Sequence, residues 1–163
     1  RLNRYTPAYR CSMPKDKFTD LRRKGRAAAL QSLYAADVRG GLAESSLEWL
    51  VEEDQLPERA ISLAQKLIQG VEARGKALDS IIQQYAPAWP VAQLAPVDRN
   101  ILRIALLELL HSPDTPDKTA INEAVELAKV FGSDNSSKFV NGVLGSVIAD
   151  REVAHPATVG SQI

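Results

Sequence analysis

Ala120-Ile121-Asn122-Glu123-Ala124-Val125-Glu126-Leu127-Ala128-Lys129-Val130-Phe131-Gly132, followed after a short polar turn by Lys138-Phe139-Val140-Asn141-Gly142-Val143-Leu144, decides how this chain folds. Ile121, Ala124, Val125 and Ala128 recur at the three- and four-residue spacing that gathers them on one side of a helix, and Val140, Val143, Leu144 and Val147 do the same. Two amphipathic helices joined by a turn follow. Packing accounts for those positions and leaves Asn122, Asn141 and Gly142 unexplained, since Gly within a helix costs roughly 1 kcal/mol relative to Ala. An Asn beside an apolar face needs hydrogen-bond partners if it is buried. The expectation is structural: Asn122 and Asn141 bridge neighbouring segments, Gly142 lets two helices approach closely, and Gly142→Leu destabilises the fold.

The same period extends toward the N-terminus, and no stretch sustains strand-like alternation. An all-α chain is predicted, a helical bundle of about seven helices in two sub-bundles of roughly three and four. The first helix runs from about Phe18 to Val38 and ends toward Gly40-Gly41. Ser45 and Glu48 form a capping box for a short second helix. Pro57 introduces a third, which stops between Gly70 and Gly75, and Leu78, Ile81, Ile82 and Tyr85 mark a fourth. Three prolines between Ala86 and Pro96 separate the two halves, with room for a helical turn around Val91 to Leu94. A fifth helix starts at Asp98, whose carboxylate suits the positive helix end, and continues to Leu110. Thr119 caps the sixth helix, and Ser136 or Ser137 starts the seventh.

A chain of 163 residues with 45% apolar content supports one domain with a genuine core, placed at 18–150. Residues 1–17 read as an N-terminal extension, whose first twelve precede the only methionine, Met13, and suit a vector remnant, an upstream extension or a processed leader. Residues 151–163 lack periodicity and read as a disordered tail. The single cysteine, Cys11, allows no internal disulfide, and no Cys/His spacing suggests a metal site. A cytoplasmic protein without metal or cofactor is the expectation. The most apolar segment, Ile101 to Leu110, is interrupted by Arg103 and Glu108 and falls short of the ~20 residues a membrane span needs.

A net charge of zero conceals a strong asymmetry. Residues 1–26 hold nine Lys or Arg against two acids, and the remainder eleven against eighteen. Arg22, Arg23, Lys24 and Arg26 are concentrated within five positions, and the spacing of Arg22, Arg23 and Arg26 puts them on one helical face. Such a face suits phosphates, although an isolated cationic run is also an ordinary solvated surface.

The C-terminal helix pair closely resembles the signature of the bacterial NusB family of transcription antitermination factors. Asp98-Arg99-Asn100-Ile101-Leu102-Arg103-Ile104-Ala105-Leu106-Leu107-Glu108-Leu109 is similar to that family's central helix, and Arg26-Ala27 through Leu33-Tyr34 to its basic first helix. The resemblance spans about residues 18 to 150. It implies RNA binding through the arginine-rich helix, recognition of the boxA element of ribosomal RNA transcripts, and a protein partner, NusE, a small-subunit ribosomal protein.

Among the residues that could meet RNA, Tyr34 and Phe139 are candidate stacking platforms, worth about 1 to 3 kcal/mol per base. By resemblance both lie where the family contacts RNA; by pattern Phe139, beside Val140 and Val143, equally suits the core. Ser136 and Lys138 stand at the start of the last helix, where free backbone N–H groups and the dipole receive anions, and a plain capping role for Ser136 is compatible with that. Neutralising about four phosphates would give a salt slope near −3, a loss of roughly 50-fold between about 50 and 200 mM. The resemblance places Asp98 on the NusE-binding surface, against a routine role as a helix-start acid. Arg103 and Glu108 are read as ion-paired within or between helices.

Catalysis finds no support. His111 and His155 are the only histidines, and there is no phosphate-binding glycine loop, no His-Glu-x-x-His pattern and no Cys-His pair. The reading is an antitermination factor that holds boxA RNA cooperatively with NusE in a transcription complex with RNA polymerase, with self-association into a homodimer left open. Its rivals are a helical protein-interaction adaptor and a stand-alone relative of the NusB-like domain that precedes some ribosomal RNA methyltransferases.

Overall fold

Six α-helices and a short 3-10 turn form the part of the chain that this computed structural model describes, residues 21–154, and none of those residues is in a strand. In order they are α1 (Leu21–Arg39), α2 (Ala43–Asp54), α3 (Glu58–Tyr85), the turn Val91–Gln93, α4 (Pro96–His111), α5 (Asp117–Phe131) and α6 (Ser136–Ala154). The expected extension 1–17 and the tail from 155 onward lie outside the described residues.

Seven expected helices become six because α3 runs unbroken for 28 residues through Gly70 and Gly75. Gly70 serves packing and does not end the helix. A Cβ there would come within 2.6 Å of the Leu107 side chain, so the glycine brings α3 and α4 together closely enough to offset its roughly 1 kcal/mol helix penalty. Helix starts also differ. α2 begins at Ala43 with no side-chain cap, which places Ser45 and Glu48 inside the helix, and α5 begins at Asp117 behind Pro116, two residues ahead of Thr119. Proline fixes the entry angle at α5 and leaves the threonine cap unused. At the other end, α6 continues past the expected boundary, and Arg151 donates to the Leu109 carbonyl at 3.2 Å and pairs with Asp117.

Where α1 turns into α2, Gly40 and Gly41 both have positive φ, +76° and +89°, which lets the chain reverse in three residues. α1, α2 and α3 pack on one another, α5 pairs with α6, and α4 touches α1, α3, α5 and α6. Two groups of three result, with α4 as the hinge of the core. Its sequence explains that position: Val97, Ile101, Leu102, Ile104, Ala105, Leu106, Leu107 and Leu109 are buried, so the helix is apolar almost all round. Each fully buried Leu or Ile contributes roughly 1.5–3 kcal/mol.

Polar pins fix the register of this core. Arg26 of α1 forks onto Glu108 of α4 with two hydrogen bonds, 2.8 and 2.9 Å, both side chains being buried. Asp37 of α1 accepts from Arg99 Nε at 2.6 Å, from Asn100 Nδ2 at 2.8 Å and from Arg103 Nη1 at 3.3 Å, while Arg103 also forks onto Asp79 of α3 at 2.7 and 2.9 Å. Burial on its own would raise the Asp37 carboxyl; hydrogen bonds from Arg99 and Asn100, with the charges of Arg99 and Arg103, hold it below the ordinary aspartate value. Arg103 and Glu108, both on α4, are thus each ion-paired to another helix.

Candidate nucleic-acid interface

The basic run of α1 divides in three directions. Arg22 is exposed and Lys24 partly so, while Arg23 leans across to α5 and pairs with Glu123 at 3.1 Å. Arg26 is 4% exposed and its guanidinium is committed to Glu108. Arg26 is therefore not a phosphate contact, because the helical face it shares with Arg22 and Arg23 turns inward one turn later, onto α4. A buried charge without its partner is strongly unfavourable, so the pair is structural.

Farther along α1, Tyr34 is half-buried and lines a cleft of about 310 Å³ with Pro96, Val97, Asp98, Phe131, Gly132 and Ser136. This cleft sits where α1, the start of α4 and the turn from α5 to α6 converge. Tyr34, Asp98 and Ser136, separated in succession by 64 and 38 residues of sequence, are brought together there. Ser136, however, is 2% exposed: its Oγ accepts from the Ser133 N–H at 2.9 Å and shares a 3.2 Å hydroxyl contact with Ser133. Its hydroxyl closes the turn and is not presented to a phosphate. Gly132 makes the turn possible, since a Cβ there would lie 2.4 Å from that of Ser136.

Asp98 is the unusual member. It stands in the first turn of α4, yet it does not cap the helix, whose N-cap is Ala95. Its Oδ1 is buried and accepts no hydrogen bond, the only such side-chain atom among the described residues. Buried acceptors are normally satisfied, and an orphan of this kind costs about 1–3 kcal/mol, more when charged. A donor brought by a partner would relieve it.

On α6, Lys138 is exposed and Phe139 is half-buried against the core edge, so the ring both packs and shows an edge to solvent. The expected structural roles of Asn122, Asn141 and Gly142 are overturned. Asn122 and Asn141 are exposed on α5 and α6, too far outside to bridge buried segments, and a Cβ on Gly142 would meet nothing within 4 Å. Lys138, Asn141, Gly142 and Gly145 share one solvent face of α6 by their spacing. Folding does not need them there.

Two residues went unnoticed in the sequence. Phe131, the last residue of α5, forms a wall of the Tyr34 cleft and of a larger cavity beside it, and Trp49 lines that larger cavity from α2. Trp49 stands off the apolar face made by Leu47, Leu50 and Val51, and a tryptophan displaced from its helix's buried face was the available signal. Among the described residues no group of three His, Cys, Asp or Glu could hold a metal, and no helix is long and apolar enough to cross a membrane.

Against known proteins, the sequence matches the NusB family over residues 23–149. It is 47% identical over 129 residues to the transcription antitermination protein NusB of Dehalococcoides mccartyi (strain CBDB1), covering 79% of this chain and 90% of that protein. The NusB of Roseiflexus sp. (strain RS-1) is 47% identical over 131 residues, covering 79% and 92%. In structure the chain is similar to T. maritima NusB, with a TM-score of 0.73 and 35% identity over 79% of this chain and 91% of the other. A chain from the crystal structure of antitermination factors NusB and NusE in complex with double-stranded RNA gives a TM-score of 0.73 and 28% identity, covering 80% and 97%.

Proposed function

The chain belongs to the NusB family of transcription antitermination factors, and from that we propose that it binds boxA RNA of ribosomal RNA transcripts together with NusE, favouring read-through of the operons. It acts by assembly in the cytoplasm and carries out no chemistry. The observation that carries this reading is the convergence of Tyr34 and Asp98 in one cleft, an aromatic ring for a base beside a carboxylate oxygen that still lacks a donor.

Arg22, Lys24 and Lys138 supply cations to the RNA backbone, Arg23 is shared between it and Glu123, and Tyr34 with the exposed edge of Phe139 offers stacking surfaces. Asp98 faces NusE. A strand held by both proteins tightens their association by the same factor that NusE tightens RNA binding, because the coupling is reciprocal. The resulting pair is the unit presented to RNA polymerase.

Binding of fluorescent boxA RNA is compared with that of a scrambled RNA of equal length, with and without NusE. Tighter boxA binding that NusE enhances, and that Arg22→Ala with Lys24→Ala weakens, is expected. Equal affinity for both RNAs irrespective of NusE would reduce the site to a generic basic patch, and the absence of RNA binding would leave a protein-interaction adaptor.

A further inference from the structure

We infer that the cavity between α1 and α2 is a docking pocket for a cationic polypeptide segment that inserts an apolar side chain against Trp49, and that this segment belongs to the protein partner facing Asp98. The inference rests on the reading that this chain binds NusE. The cavity has a volume of about 490 Å³ and is walled chiefly by Leu30, Tyr34, Leu42, Trp49, Leu50 and Phe131. Its size is that of pockets which enclose an inserted group, and its apolar lining favours an apolar one.

Exposure marks the same corner. Val38 is 50% exposed, Leu42 70% and Trp49 42%, three of the five large apolar residues open to water among those described. A tryptophan at the mouth of an apolar pocket is the usual anchor of a protein interface, where a few such residues carry most of the affinity. The cavity is also continuous with the proposed partner surface, since Tyr34, Val97 and Phe131 line both it and the cleft that holds Asp98.

Charge selects the class of occupant. α2 carries Glu44, Glu48, Glu52, Glu53 and Asp54 and no Lys or Arg, and all five are exposed. Glu48 adjoins Trp49, and Glu52 and Glu53 stand one helical turn beyond it, so the exposed α2 surface beside the pocket is acidic, while none of these carboxylates lines the pocket itself. Arg39 is the one cation in the lining. An RNA strand crossing α2 to reach the pocket would meet like charge. A lysine- or arginine-rich segment finds complementary potential at the rim and apolar contact inside, the arrangement that raises on-rates and fixes register.

Trp49 and Trp89 are the only tryptophans, and Trp89 is 63% exposed, so Trp89→Phe leaves a single reporter in the pocket at little cost to packing. The Trp89→Phe chain is titrated with NusE and separately with boxA RNA, and NusE affinity is measured by calorimetry for this chain and for its Trp49→Ala and Leu42→Ser variants. NusE should shift Trp49 emission to the blue, RNA alone should leave it unchanged, and Trp49→Ala should weaken NusE at least tenfold. Leu42→Ser, at a residue already in water, gives a smaller loss without endangering the fold. NusE binding with unaltered Trp49 emission and unchanged affinities in both variants overturns the pocket while leaving the proposed function intact. A shift produced by RNA alone makes the cavity a base pocket, and one that grows with the chain's own concentration makes it a contact between two copies; either refutes the inference. Failure of NusE to bind the chain at all overturns both readings.

Discussion

Arg26 on α1 and Glu108 on α4 meet through two parallel hydrogen bonds, Nε to Oε1 at 2.8 Å and Nη2 to Oε2 at 2.9 Å, with 5% and 3% of their side chains exposed. The pair converts one position of an apparent RNA-binding run into a bolt between helices. Arg26→Ala should destabilise the fold by about 3–5 kcal/mol, because it strands the Glu108 charge. Arg26→Met with Glu108→Leu should recover most of that loss in urea unfolding, and should leave the salt slope of RNA binding unchanged. A reduced slope in the double variant would return Arg26 to the RNA surface.

With Arg26 withdrawn and Arg23 shared with Glu123, about three phosphates can be neutralised by the α1 and α6 cations, and a single strand then gives a slope of log affinity against log salt of roughly −2. That corresponds to a loss near 20-fold between about 50 and 200 mM, in place of the 50-fold expected for four contacts. Lys138→Ala should flatten the slope by about 0.7. Titrations at four salt concentrations separate these values.

The two glycines at 70 and 142 should respond oppositely to alanine. Gly142 faces open space, so Gly142→Ala should stabilise by about 0.5–1 kcal/mol through helix propensity. At Gly70 the new methyl would meet Leu107 at 2.6 Å, and the resulting overpacking should cost about 1–3 kcal/mol. Paired thermal melts suffice, and equal shifts of one sign would contradict the assignment of Gly70 as a packing residue.

These glycines also explain how much was legible. Helical period, proline placement and the apolar character of α4 suffice for an all-α fold, because they act locally along the chain. What distinguishes Gly70 from Gly142 is a neighbour 37 residues away, and periodicity carries no trace of it. The same holds for the site. Tyr34 is half-buried and Lys138 exposed, which leaves both able to meet a ligand, whereas Arg26, Asn122 and Asn141 depend on which face the rest of the fold covers. Helix spacing groups residues on a face without saying whether that face points in or out. Phe131 was hidden for the same reason: it ends an apolar helix as core residues do, and only the convergence of α1, α4 and α5 turns it into a wall.

Asp37 gives the acid side of the stability profile. Its folded-state value lies below the ordinary 3.8, so its contribution is fully present above that pH and is lost as pH falls through the folded-state value. Wild-type stability should therefore decline below about pH 4, partly because protonated Asp37 no longer holds Arg99 and Arg103. Asp37→Asn should be less stable at pH 7 and should lose less stability than the wild type on further acidification. Parallel curves for the two chains from pH 7 to pH 2 would exclude the network as a source of acid sensitivity.

Asp98 should show stability and function pulling apart. Its position in the first turn of α4 gains about 0.3–1 kcal/mol from the helix dipole, whereas the enclosed Oδ1 without a donor costs about 1–3 kcal/mol. The second effect is larger, so Asp98→Ala should leave the melting temperature unchanged or raise it. A hydrogen bond to a charged group contributes about 1.5–3 kcal/mol, and loss of the one proposed to form with NusE should weaken that partner by roughly 10- to 150-fold. RNA binding by the chain alone should be unaffected, since removing a carboxylate takes no cation from the strand. Calorimetry with NusE beside a thermal melt distinguishes the two roles: a lower melting temperature with unchanged NusE affinity would make Asp98 a helix-start acid and nothing more.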